Sequence, residues 1–126
     1  MSLLVRAVLL LVGAVHLLPV IGVLGATRLE PMYGVALPDP QVVLLLRHRA
    51  VLFGLIGTLL CGASFHAPWQ TSALWVGLCS TASFVVLAWL GADLGPPLRR
   101  VLTVDIGAVI LLAAALVGRL TLPAPG

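Results

Sequence analysis

Four long apolar stretches alternate along the chain with short segments that carry proline, glycine and most of the charged residues. Each stretch holds the roughly 20 mainly apolar residues that a helix needs to cross the hydrocarbon core of a bilayer. The pattern therefore predicts four transmembrane helices and no sheet. The predicted spans cover residues from about 3–25, 40–65, 69–90 and 98–119.

Prolines indicate where these helices begin and where one of them bends. Asp39-Pro40 is typical of a helix start, because Asp caps backbone N–H groups and proline fits the first helical position. Pro19 lies inside the first span, where it removes a backbone donor, so we expect a kink there. Short connections make neighbouring spans antiparallel. The prediction is an all-α fold, an antiparallel four-helix transmembrane bundle that forms a single domain over residues 1–126.

Composition agrees with this interpretation and excludes most soluble functions. Hydrophobic residues make up 61% of the chain and charged residues 9%, whereas soluble proteins are about 25% charged. The mean hydropathy is +1.20. The net charge of +3 comes with no lysine-rich run, so nucleic acid is not expected as a partner. The expected partner is the lipid bilayer.

The charged residues predict how the protein is oriented in the membrane. All four acidic residues and five of the seven arginines lie in or next to the first and third connections between spans. Cytoplasmic loops carry an excess of basic residues. We therefore expect the first connection, Ala26 to Asp39, and the third, Gly91 to Pro97, to lie in the cytoplasm, with both termini outside.

Several polar residues are predicted to share one depth in the bundle. At 1.5 Å per residue, the polar groups of the second and fourth spans lie about 10–14 Å below the side that holds these two connections. His16 lies about 14 Å from the same side, and the third span places hydroxyl groups at that level. The residues of this layer are His16, Arg47, His48, Arg49, Ser80, Thr81, Ser83 and Asp105.

Arg47 is predicted to point into the bundle and to pair with Asp105. Small residues at four-residue intervals mark places where membrane helices approach closely. Four of them lie within about 60° of Arg47 on the helix surface, at 100° per residue. They are Ala50, Gly54, Thr58 and Gly62. The alternative to a functional pair is a structural ion pair that fixes the register of the helices.

The same layer supplies candidate ligand-binding residues. Arg47 would hold an anionic or carbonyl group, Asp105 would orient Arg47, and His16 or His48 would donate or accept a proton near neutral pH. The alternative for each histidine is a hydrogen bond between helices. The first connection would form a lid, which adds Tyr33 and Glu30 to the candidates. The hydroxyls of Ser80 and Ser83 either join the site or bond to their own helix.

Signatures of catalysis and of cofactor binding are largely absent from the chain. It contains no Gly-x-Ser-x-Gly elbow, no Walker loop, no His-Glu-x-x-His and no paired-cysteine motif. No metal site is predicted. The sequence leaves catalytic residues, cofactors and enzymatic activity open.

Two segments carry a resemblance to known proteins. Residues 29–37, LEPMYGVAL, and residues 44–54, LLLRHRAVLFG, resemble small uncharacterised bacterial inner-membrane proteins. Some of those bear the name phosphopantetheine adenylyltransferase, an activity of soluble α/β enzymes with a His-x-Gly-His motif that this chain lacks. The Tyr33-Gly34 pair and the basic segment before the small residues also resemble the DoxX-like superfamily of four-span proteins, some of which are linked to quinone or sulfur redox chemistry. The resemblance implies a multi-pass protein of the bacterial inner membrane.

Three functions are compatible with these features. The first is binding of a small or lipid-like molecule in a polar pocket within the bundle, with or without catalysis. The second is an accessory or structural subunit of a membrane complex. The third is a dimeric small-molecule transporter, a homo-oligomer similar to the small multidrug-resistance proteins. Those proteins use a glutamate in the first span where this chain has His16.

Overall fold

The computed structural model describes residues 2–34, 39–91 and 93–122, and every regular element among them is helical. Five α-helices and two short 3₁₀ segments follow one another along the chain. The α-helices are α1 (Leu3–Leu17), α2 (Ala26–Tyr33), α3 (Pro40–Ala63), α4 (Gln70–Gly91) and α5 (Pro96–Thr121). The 3₁₀ segments are Leu18–Leu24 and Ala67–Trp69. The all-α four-helix bundle that the sequence predicts is confirmed.

Four helical segments are long and apolar enough to cross a membrane. They are Leu3–Val23, Pro40–Ala63, Ala67–Gly91 and Pro96–Thr121. Large apolar side chains lie exposed along them, among them Leu44 and Leu55 of α3, Leu87 of α4 and Ile110 of α5. In water such a surface would be costly, whereas lipid chains are as apolar as leucine. The chain is therefore a multi-pass integral membrane protein.

Pro19 changes the type of helix rather than only bending it. The α-helix of the first span ends at Leu17, and Leu18–Leu24 continue as a 3₁₀ helix with Pro19 in its first turn. Gly25 then reverses the chain with a φ of 106°, a conformation that glycine adopts without a steric cost. In place of the expected kink, the first span changes from an α-helix to a 3₁₀ helix, which ends at Leu24.

The first connection contains α2, a helix that the sequence analysis did not predict. Gly34 ends it in the left-handed conformation, φ 68°, and its N–H donates to the Glu30 carbonyl at 2.8 Å. A Cβ on Gly34 would lie 2.8 Å from Cγ of Pro97. This close approach places the end of α2 against the beginning of α5.

The predicted start of α3 is confirmed in detail. Asp39 is the N-cap, and its Oδ1 accepts a hydrogen bond from the Gln41 N–H at 2.8 Å. Pro40 occupies the first helical position, where no backbone N–H is needed.

The core lies where the four spans meet and is built from aliphatic side chains. One leucine of each span is fully buried, namely Leu9, Leu60, Leu74 and Leu112. The first and third of the α-helices meet most closely at two glycines, since a Cβ on Gly57 would lie 2.9 Å from the carbonyl oxygen of Gly13. At the end away from the first connection, Arg119 donates to the Ala67 carbonyl and Arg6 lies over the Phe65 ring. These contacts hold the four spans together in the core and at that end of the bundle.

Candidate ligand-binding site around Arg49

A cavity of about 220 Å³ opens among the first span, α2, α3 and α5. Its polar lining consists of Tyr33, Arg49, Arg100 and Asp105. The remaining wall is apolar and consists of Val15, Leu18, Pro19, Met32, Phe53, Val101 and Val104. The cavity therefore has a compact polar corner in an otherwise hydrophobic chamber. Ligand pockets in proteins commonly have this composition.

Arg49 and Asp105 reach the cavity at one depth from two different helices. Arg49 is nine residues after Pro40, the first residue of α3, and Asp105 is nine residues after Pro96, the first residue of α5. At 1.5 Å per residue both lie about 14 Å along their helices from the side of the connections. The depth predicted from the sequence for Asp105 thus agrees with the structure. The arginine at the same depth that lines the cavity with it is Arg49, not Arg47.

Aromatic groups surround the Arg49 guanidinium. Its Cζ lies 4.6 Å from the centre of the Phe53 ring and 5.4 Å from the centre of the Phe84 ring. Its Nε donates to the Tyr33 hydroxyl at 3.4 Å, a long and weak hydrogen bond. Aromatic faces attract a cation, and the attraction is larger where the cation is removed from water. Two rings and one hydroxyl therefore hold the cation, while its terminal NH₂ groups make no hydrogen bond within the described residues.

Asp105 is buried, with 8% of its surface exposed, and it lines the cavity. It makes no hydrogen bond or direct ion pair within the part of the chain that the structure describes. The charge that acts on it is that of Arg49, across the cavity corner. Among the described residues its oxygens are not fully buried atoms without a partner, so they remain open to the cavity. These oxygens are thus positioned to accept hydrogen bonds from a molecule in the cavity.

The prediction that Arg47 points inward and pairs with Asp105 is wrong. The Arg47 side chain is exposed, and its Nε donates to the Val23 carbonyl at 2.8 Å. Val23 lies at the end of the 3₁₀ segment, where backbone carbonyls lack helical partners. Arg47 therefore caps the first span instead of lining the cavity.

The error has a physical cause in the choice of the buried face of α3. Four side chains that lie within about 40° of Arg49, at 100° per residue, face the interior. They are Phe53, Ile56, Leu60 and Ala63. Of the small residues on the Arg47 face, Gly54 does contact the first span, but Thr58 is exposed. The large apolar residues at positions i+4, i+7 and i+11 from Arg49 were the signal that identifies the inward arginine.

The two intramembrane histidines lie in different surroundings. His16 is 3% exposed, and its Nδ1 donates to the Val12 carbonyl of its own helix at 2.9 Å. Its Nε2 is buried without a partner among the described residues, and its ring centre lies 5.5 Å from that of Phe53. His16 thus lies behind one wall of the cavity. His48 is exposed on the outer side of α3.

The remaining candidates divide between the cavity and its neighbourhood. Tyr33 lines the cavity, as the lid prediction requires, and belongs to α2 rather than to a loop. Ser80 and Ser83 line a separate groove between α3 and α4. Glu30 is partly buried on α2 and is not part of the cavity lining. The sequence analysis placed Arg49 at the right depth but on the outer face of its helix, and it missed Phe53, Phe84 and Arg100 as members of the site.

The electrostatics of the cavity favour an anionic or carbonyl group. Two guanidinium groups and one carboxylate give a formal charge of +2 − 1 = +1. Guanidinium and phenol groups donate hydrogen bonds, and the carboxylate accepts them. No group of three or more His, Cys, Asp or Glu residues that could hold a metal ion is found among the described residues. The arrangement can hold a polar head by hydrogen bonds and an apolar body by contact.

No family model, no curated protein and no solved structure matches the chain. The likeness to the DoxX-like superfamily therefore stays a prediction from the two sequence segments. The functional argument that follows rests on the geometry of the cavity.

Proposed function

We propose that this membrane protein binds an amphipathic, lipid-like molecule whose anionic or carbonyl head occupies the polar corner of the cavity. Arg49 and Tyr33 donate hydrogen bonds to the head, and Asp105 accepts one from a protonated or hydroxyl group of the head. Arg100 lies at the mouth, where it adds positive charge. One observation carries this proposal. Arg49 and Asp105 have opposite charges, lie at one depth and line the same cavity, yet they make no direct contact.

The cost of intramembrane charge supports the proposal. A single charged side chain near the centre of a bilayer costs about 2.5–3.5 kcal/mol on insertion scales. A purely structural pair lowers that cost most by direct, two-pronged contact between guanidinium and carboxylate. Here the two groups are separated, and the space between them belongs to a cavity with apolar walls. A bound head group, or water in its place, supplies the missing hydrogen bonds.

Two arginines two residues apart provide the matched variants for a test. Arg49→Met removes the inward guanidinium, whereas Arg47→Met removes an exposed one of the same helix. Native mass spectrometry of protein released from nanodiscs of bacterial polar lipids measures the bound molecule directly. We expect one retained adduct in the wild type and in Arg47→Met, and at least about a ten-fold lower occupancy in Arg49→Met, since charge-assisted hydrogen bonds contribute about 1.5–3 kcal/mol.

Equal adduct occupancy in folded Arg49→Met and wild-type protein would contradict ligand binding at this cavity. So would a wild-type protein that is released without any adduct. In either case Arg49 and Asp105 form a structural pair that sets helix register.

We also propose that the cavity mouth faces the cytoplasm of the bacterial inner membrane. The arginine excess beside the first and third connections supports this orientation. Single cysteines test it after Cys61 and Cys79 have been changed to alanine. Asp93→Cys should be labelled by a membrane-impermeant maleimide only in opened cells, and Leu122→Cys should also be labelled in intact cells. Labelling of Asp93→Cys from outside would reverse the orientation and leave the cavity unchanged.

A further inference from the structure

A second space adjoins the cavity, and Arg49 and Phe53 line both. It is a groove of about 180 Å³ between α3 and α4. The guanidinium and one of the two phenyl rings that hold it therefore form the boundary between the cavity and the groove. The other lining residues are Leu52, Ile56, Ser80, Ser83, Phe84 and Leu87.

The groove faces the hydrocarbon of the bilayer. Leu52 is 45% exposed and Leu87 is 68% exposed, at the outer edges of the two helices. On α3 the lining extends from residue 49 to 56 and on α4 from residue 80 to 87. Seven residues on each helix correspond to about 10 Å along the axis. The groove thus leads from the charged corner toward the membrane interior.

The chemistry of the groove suits a hydrocarbon chain rather than a polar group. The Ser83 hydroxyl donates to the Ser80 carbonyl at 2.8 Å, so its hydrogen bond is made within its own helix. The other side chains, apart from Arg49 and Ser80, are aliphatic or aromatic. An anionic head beside Arg49 would therefore continue into an apolar channel open to lipid.

We propose that the cavity and the groove form one site for a single-chain lipid with a compact head, of the long-chain carboxylate class. This inference rests on the proposed function, because it assigns the tail of the molecule whose head the cavity holds. The head carboxyl group lies against the Arg49 guanidinium and shares one proton with Asp105, because two neighbouring carboxyl groups cannot both be ionised. The chain lies in the groove between α3 and α4. The lipid enters sideways from the bilayer, past the guanidinium between Phe53 and Phe84. Spaces of about 220 and 180 Å³ suit one head and one chain better than a diacyl phospholipid.

Two photoreactive carboxylates separate head binding from tail binding. One is palmitate with a mid-chain diazirine, and the other is a diazirinyl benzoate that has a head and no chain. The full-length protein in phosphatidylcholine nanodiscs is irradiated with each probe, and the labelled peptides are mapped by mass spectrometry. In the wild type we expect palmitate to label Leu52, Phe84 and Leu87, and the benzoate to label Val101 and Val104.

A variant that fills the groove tests the route of the chain. Ser83 is exposed, so Ser83→Phe adds a ring to the groove without disturbing the core. We expect Ser83→Phe to lower palmitate labelling of the groove by about ten-fold, because the added ring takes the space of the chain. A ten-fold loss lies within the free-energy cost of overfilling a packed site. Benzoate labelling should stay within about two-fold of the wild type, because the head site is untouched. Leu55→Phe, on the exposed side of α3, is the control and should change neither probe.

The outcomes distinguish this inference from the proposed function. Palmitate labelling of the groove that is equal in Ser83→Phe and wild-type protein, with benzoate still bound, overturns the single-chain site and leaves head binding in place. Palmitate labels spread evenly over all lipid-facing residues overturn it as well. If neither probe labels the cavity more strongly in the wild type than in Arg49→Met, the proposed function fails too.

Discussion

Asp105→Leu is expected to lower the free energy of unfolding by about 1–3 kcal/mol, the cost of leaving a buried charged group without compensation. The loss is smaller than for a pair in direct contact, because Arg49 and Asp105 interact only across the cavity. The change leaves Arg49 in an apolar cavity with only aromatic faces and a weak hydrogen bond to Tyr33. Arg49→Met should be similarly costly, because Asp105 then loses the cation whose charge acts on it. The double variant should lose less than either single one, since both charges are gone and the site becomes apolar.

The measurement is an unfolding titration with dodecyl sulfate in mixed micelles, followed by the fluorescence of the three tryptophans. Arg47→Met serves as the control. It removes an exposed hydrogen bond to Val23 and should cost no more than about 1 kcal/mol. The contradicting result is additivity. If the loss of unfolding free energy in the double variant equals the sum of the two single losses to within about 0.5 kcal/mol, the two charges do not interact.

The second large effect is expected at the contact between the first span and α3. A Cβ on Gly13 would lie 2.6 Å from Sγ of Cys61 and 3.1 Å from the carbonyl oxygen of Gly57. Side chains move more easily than backbone, and here a backbone carbonyl is in the way. Gly13→Ala should therefore force the helices apart and cost about 1–3 kcal/mol, the usual cost of overpacking.

Gly107 supplies the matched control on α5. A Cβ at Gly107 would meet nothing within 4 Å, so Gly107→Ala meets no steric obstacle. That change should be neutral or stabilising by up to about 1 kcal/mol, because alanine is the better helix former. Thermal unfolding in detergent compares the two variants. A Gly13→Ala protein as stable as Gly107→Ala would contradict the close approach of the two helices.

The number of spans and the depth of the polar layer could be predicted from the sequence, because both depend on spacing along one dimension. Apolar length sets the span count, and a rise of 1.5 Å per residue sets depth. Asp105 and Tyr33, two of the candidate residues, both line the cavity. These properties need no knowledge of how the helices turn toward one another.

The choice between Arg47 and Arg49 depends on helix rotation, which the small-residue pattern indicated incorrectly. In α3 the interior face carries Phe53, Ile56 and Leu60, so large residues mark it more reliably than Gly54 and Thr58 do. The close contact between the first span and α3 uses Gly57, outside the set of small residues that was chosen. The rotation of each helix about its axis is set by packing among several helices. The sequence of a single helix does not contain that information.

The helical form of the first connection was missed for a different reason. Pro31 and Gly34 were interpreted as loop residues, yet Pro31 lies inside α2 and Gly34 ends it. A helix of eight residues is marginal alone, so its stability comes from contacts with the bundle. The contact of Gly34 with Pro97 is one of them. The sequence around Gly34 does not predict this contact, because the two residues are far apart in the chain. Tyr33 reaches Arg49 only because this helix forms.

An experimental structure of the wild-type protein in lipid nanodiscs tests the binding site most directly. We expect density in the cavity that lies within hydrogen-bond distance of the Arg49 guanidinium and of the Asp105 carboxylate, and that is absent from Arg49→Met. The contradicting result is a cavity closed by side chains, with Arg49 and Asp105 in direct two-pronged contact and no molecule between them.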